Sequence, residues 1–223
     1  KSKKHVPIVF DHPERYQREG FYAQKNVLNS IINNSDKNEI NASQKFLNEI
    51  ANSANQSSNL ISEAWSKYSR KVDYGIDAVD LDKIAAMIES DLPTKLYYTA
   101  FRDNAFDTHV HQNNLHTRLL TYASDAIRGF ISDLERMGKS NDVVLLVMTE
   151  FGRRVPENTS LGTDHGSAGP MFIIGSSVKG GHYGEIPDLV NGLDEGDNLK
   201  YTTDFRSVYA TLIDRWLEVD SKN

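Results

Sequence analysis

The 223-residue chain has no cysteine. That excludes disulfides and thiolate metal sites, and it would suit an exported protein without identifying a compartment. There is no long basic run, and the formal net charge is -6. Both argue against nucleic acid as the main partner. No apolar stretch is long enough to span a bilayer, and no signal peptide is visible. Proline is missing between Pro13 and Pro93. What remains, 39% hydrophobic and 25% charged residues, is the composition of an ordinary soluble protein. The length suits one domain, or one domain with an appendage. The chain starts at Lys1, not at Met, so it is expected to be a processed product or part of something longer.

The proline-free stretch has its own texture. "HVPIVF" (His5 to Phe10) is a candidate strand, followed by "DHPER". From Tyr16 to about Asp91 the chain is rich in Asn, Ser, Gln and Lys. Leu47, Ile50 and Ala54, then Leu60, Ile61, Ala64, Trp65 and Tyr68, recur at helical spacing. The spacing predicts two or three amphipathic helices, and a shorter one over Leu81 to Glu89. Residues 1–92 are therefore expected to form a mainly helical appendage or insertion.

From Pro93 the pattern alternates. "KLYYTAF" (Lys95 to Phe101) is β-rich. Residues Asn114 to Met137 carry Leu115, Leu119, Ala123, Ile127, Phe130, Ile131 and Leu134 on one helical face. Asn113 or Asn114 is the expected N-cap, and Gly138 the expected stop. "DVVLLVMT" (Asp142 to Thr149) is a continuous apolar run, as in a strand buried on both faces. "MFIIG" (Met171 to Gly175) is another, and "TDFRSVYATLIDRWLEV" returns to helical spacing. Strand, helix, strand, strand, helix predicts an α/β fold over 93–223, a mostly parallel sheet flanked by helices.

Two loops after predicted strands collect ligands, and in α/β sheets sites form in such loops. The first reads "DNAFDTHVHQNNLH" and holds Asp107, His109, His111 and His116. Imidazole nitrogen with carboxylate oxygen suits zinc, manganese or iron. The bland alternative is a set of polar loop and helix-start residues, with His116 flanking the helix. The second loop, "TEFGRRVPENTSLGTDHG", holds Glu150, Arg153, Arg154, Asp164 and His165. Neighbouring residues on an extended backbone point to opposite sides. Asp164 and His165 could thus serve two centres, or straddle one if Gly162 and Gly166 bend the chain. Arg153 and Arg154 could hold an oxyanion such as phosphate or sulfate, or lie in surface salt bridges. Glu150 reads as a structural carboxylate at a strand end.

"FDTHVHQNNLH", "TEFGRR", "GTDHG", "VKGGHYGEIPDL" and "TTDFRSVYATLIDRWL", in that order, resemble a family catalogued as domain of unknown function 1501. More broadly, the Asp-His loop and the later "DHG" resemble the alkaline-phosphatase-like superfamily of phosphatases, sulfatases and phosphoglycerate mutases. The family resemblance covers roughly Pro93 to Leu217; Lys1 to Ser90 resemble the family only loosely, apart from "VFDHPER".

The resemblance implies an alkaline-phosphatase-like fold, incomplete in this chain, and a metal-dependent hydrolase of small phosphate or sulfate esters. It implies one or two divalent ions, of zinc, manganese, iron or calcium. Asp107 with His111 or His109 would serve one metal, and Asp164 and His165 the other. His182, in "GGHYG", corresponds to a late histidine ligand, or is a plain loop residue. The superfamily's early Asp and its Ser or Thr nucleophile have no convincing counterpart. Asp11 lacks a hydroxyl companion, so both groups are expected upstream of Lys1. Relatives also carry a twin-arginine export signal, which implies an exported, periplasmic protein. The alternative is a catalytically inactive member serving as an exported binding or scaffold protein, with a protein partner on the helical segment. A third is metal binding without hydrolysis.

Overall fold

A computed structural model describes residues 8–16 and 42–222. The chain divides into two compact units. One takes the described residues up to Arg70 with Lys83–Leu92, and the other takes Lys71–Asp82 with Pro93–Asn223.

The first unit is helical. A 3-10 turn, Pro13–Arg15, follows His12, whose ring nitrogen accepts from the Glu14 amide. Helix α1 is Ala42–Lys67 and helix α2 is Leu81–Glu89. Ile61 and Ala64 of α1, and Ala85, Ala86 and Met87 of α2, are buried. Ile61 and Ala64 lie three residues apart, and Leu81, also buried, lies four before Ala85, the spacing of one helical face. The His12 ring meets Trp65 edge-on at 5.8 Å, and Trp65 stacks on Tyr68. Toward its start α1 presents Phe46 and Ile50 to solvent, 62% and 48% exposed. The expected strand at His5 to Phe10 lies partly outside the described residues, and 8–10 form no strand. Helices expected within 17–41 also lie outside them.

The second unit is organised by helix α3, Gln112–Met137. Leu119, Ala126, Phe130 and Leu134 are buried along one face. The helix stops where Gly138 takes a left-handed φ of 70°, its amide bonded to the Glu135 carbonyl and that of Lys139 to Leu134. That is a glycine C-terminal stop, available at no steric cost only without a Cβ. A charged group lies deep in this core. Asp133 is fully buried, accepting from the Tyr74 hydroxyl at 2.9 Å and from Arg136 Nε at 2.6 Å.

The remaining elements are short. Strand β1 is Leu145–Val147, β2 Gly152–Arg153, β3 His165–Gly166 and β4 Phe172–Ile174. Helix α4, Phe205–Arg215, starts at Asp204, whose carboxylate accepts from the Arg206 amide. β1 pairs antiparallel with β4, with Leu145 opposite Ile174 and Val147 opposite Phe172. β2 pairs antiparallel with β3, with Arg153 opposite His165.

This overturns the expected fold class. Among the described residues there is no large parallel sheet flanked by helices, only two antiparallel pairs of two strands. A parallel neighbour needs a crossover, usually a helix, between the paired strands. Here α3 precedes β1, and the chain between β1 and β4 contains no helix. It returns antiparallel, with β2 and β3 inside the excursion. The apolar run Asp142 to Thr149 yields one three-residue strand, half-buried rather than covered on both faces. Lys95 to Phe101 forms no strand, and Leu96 and Tyr98 point to solvent.

Candidate metal centre

The site is built from the loop before α3 and the loop that enters β3. The first loop ends in an unusual helix start. His111 takes a left-handed φ of 45°, and its side chain makes no capping bond. Instead the His111 and Gln112 amides donate to the Ser160 and Leu161 carbonyls, at 3.0 and 2.9 Å. Backbone of the second loop thus satisfies amides that helix starts leave unpaired. Asn113 and Asn114 lie inside the helix, not at its cap.

Asn158 completes the seam. Its side-chain carbonyl accepts from the Ser160 and Gly162 amides. Its amide group donates to the His109 carbonyl and to Asp164 Oδ1, each at 3.2 Å. Gln112 bridges likewise, donating to Thr108 and accepting from the Thr163 hydroxyl at 3.0 Å. The glycines act differently from the bend expected of them. Leu161, not Gly162, takes the left-handed φ of 60°. Gly162 is needed because a Cβ there would overlap the His109 carbonyl, and at Gly166 one would meet the Arg153 backbone.

The seam brings three ligand atoms together. His109 Nε2 lies 3.0 Å from Asp107 Oδ1 and 3.0 Å from His165 Nε2. His165 Nε2 lies 2.7 Å from the same Asp107 oxygen. The two imidazoles stack at 4.8 Å, and the Phe151 ring lies parallel to His165 at 3.6 Å. The His165 imidazole, helped by His109, holds the Asp107 carboxyl below its ordinary 3.8, against partial burial. Side-chain exposures of 37 to 46% leave the cluster open to solvent.

The donor set suits a divalent cation. Two ring N–H groups could each donate to the one carboxylate oxygen, but they would then face each other donor to donor at 3.0 Å. A tetrahedral cation with ligands about 2.0–2.2 Å away spaces those ligands roughly 3.4 Å apart. The three contacts would need to open by roughly 0.4 to 0.7 Å to meet that spacing. Asp107, His109 and His165 form the one His/Asp/Glu group of this kind among the described residues.

The other expected site residues fall elsewhere. Asp164 lies 3.9 Å from the opposite ring nitrogen of His109, Nδ1, and outside the three. His111 starts α3 and is outside the group too. His116 is half-buried, with its Nδ1 2.9 Å from the Thr108 hydroxyl. Burial lowers its pKa, and the Arg153 charge adds to this. Since the Thr108 oxygen accepts from Gln112, its own hydrogen is available to the His116 ring. His182 and Glu150 are exposed and outside the group. Arg153 directs both terminal nitrogens at backbone carbonyls, those of Thr163 and Phe106. Arg154 is exposed, and its charge helps lower the pKa of Asp194. Asn158, Gln112, Thr163 and Phe151 were not singled out by the sequence reading. Asn158 could have been recognised as a turn residue in "ENTSLG", but not its reach to His109.

Helices, short antiparallel strands and an open cluster of two histidines and one carboxylate thus define the class. The sequence matches the family described as "Protein of unknown function (DUF1501)" over residues 70–222. That is more than half of the chain, and the protein belongs to this family. No curated protein and no solved structure matches it.

Proposed function

We propose that the chain binds a divalent cation at Asp107, His109 and His165 and uses it to hydrolyse phosphate or sulfate esters. The carrying observation is the mutual approach of three ligand atoms at 2.7 to 3.0 Å. A cation held by three protein ligands in an open site supplies Lewis-acid polarisation of an ester oxygen and acidifies water there. Solvent exposure lets a small ester reach it. Asp164 stands 3.9 Å behind His109 Nδ1, where a small closure would let it orient the ring as carboxylates behind metal-bound histidines do. Exposed Arg154 offers a guanidinium for the ester's oxyanion. The order of the Asp107 loop and the "TDHG" loop, similar to that of alkaline-phosphatase-like hydrolases, supports the ester chemistry. Export belongs to the same reading, through the family resemblance.

A second reading, a family member that binds a protein partner through its helical segment, draws on exposed Phe46, Ile50 and Leu60 of α1. Metal content by elemental mass spectrometry separates the two. About one equivalent of zinc, manganese, iron or calcium, lost in Asp107→Ala and His165→Ala, supports the first and justifies an ester screen. No metal after reconstitution with each ion moves the conclusion to the second.

A further inference from the structure

Arg153 sits opposite His165 in the β2–β3 pair. Its side chain is only 20% exposed. One terminal nitrogen donates to the Thr163 carbonyl at 2.8 Å and the other to the Phe106 carbonyl at 2.8 Å. Phe106 directly precedes Asp107, and Thr163 precedes the Asp164-His165 pair. One guanidinium therefore cross-links the two loops that carry the cluster, one residue before Asp107 and two before His165. Its central carbon lies 5.3 Å from the Phe151 ring centroid, and that ring stacks on His165. The same guanidinium approaches Asp107 Oδ1 to 3.9 Å.

We propose that Arg153 is the positioning residue of the metal centre, holding Asp107 and His165 within ligand distance by clamping the Phe106 and Thr163 carbonyls. This rests on the metal reading for its purpose, but the clamp itself can be tested without metal. The planar fork of arginine spans two carbonyls at once. A lysine ammonium at the same place is a single point on a flexible stem. Charge alone therefore does not replace it. Backbone carbonyls are uncharged acceptors, and both lie closer, at 2.8 Å, than the Asp107 carboxylate at 3.9 Å, so the clamp acts by geometry beyond its ion pair.

The test uses the full chain with Arg153→Gln and Arg153→Lys, the second guarding against a variant that fails to fold. Zinc affinity is measured by competition with a chromophoric chelator. Both variants should bind zinc about 10- to 100-fold more weakly than the native chain, the usual effect of losing a supporting partner behind metal ligands. Native affinity in either variant would overturn the proposal. A second readout needs no zinc. Proton NMR of the zinc-free chain should show a cross-ring nuclear Overhauser contact between His109 and His165, lost in both variants. Its persistence in folded Arg153→Lys would also overturn the clamp. If the native chain binds no zinc yet the cross-ring contact is lost in the variants, the metal reading fails and the positioning role stands.

Discussion

Two aspartates of the same unit, Asp133 and Asp107, meet their partners in opposite ways. Asp133 is fully buried, and its two oxygens are matched to two donors, Tyr74 and Arg136. Each oxygen meets a hydrogen, so the group stabilises one packing arrangement of α3. Asp107 is more than a third exposed, and one of its oxygens meets two imidazole nitrogens that also crowd each other. Its partners are two ring nitrogens converging on one oxygen, an arrangement that fits the cation proposed above better than a sealed core. The partners' geometry, more than the residue type, separates a structural carboxylate from a chemical one.

The sharpest way to break this comparison is to part the two loops. Gly162→Ala would drive a Cβ into the His109 carbonyl. It should cost roughly 4 kcal/mol of stability, measured by urea unfolding, and abolish zinc binding. A tolerated alanine would mean that the loops are not tightly seamed.

Asp133→Ala should cost about 3 kcal/mol, because it removes a buried carboxylate that accepts from the Tyr74 hydroxyl and from Arg136. Zinc affinity per folded molecule should stay native. A parallel loss of affinity would erase the distinction between the two aspartates.

Zinc at a hundred times its Kd should stabilise the native chain by about 2.7 kcal/mol. Asp107→Ala should show no zinc-dependent rise in Tm while its zinc-free Tm stays near native. A large zinc-free loss would make Asp107 a structural group like Asp133.

The smallest effect concerns Asp204 at the start of α4. Bonds from the Arg206 side chain and amide lower its pKa from 3.8 to about 2. A carboxyl with a depressed folded pKa contributes stability above its unfolded pKa and loses it as pH falls through the folded one. Asp204→Asn should therefore melt slightly below native at pH 5, with the gap closing as pH drops from about 4 to 2. A gap that persisted at pH 2 would assign the effect to capping geometry, not to charge.

The amino-acid order by itself determined the helices. Leu115 to Leu134 repeat at helical spacing and α3 follows, two residues earlier than expected, because Gln112 continues the turn that His111 opens. Gly138 ends it, since only glycine takes that left-handed φ freely. The order also marked Asp107, His109 and His165 as ligand types, because their chemistry is local to the side chain. Only the tertiary structure decided the rest. An apolar run such as "DVVLLVMT" encodes extension and burial, not the direction of its neighbour. The connection from β1 to β4 made that pairing antiparallel where a parallel sheet was expected. Likewise, spacing along the chain made His111 as good a ligand as His109. The left-handed turn at His111, Asn158 on the His109 carbonyl and Arg153 across two loops decided which histidine faces His165. Those contacts span dozens of residues, and local sequence carries no record of where a distant carbonyl will lie.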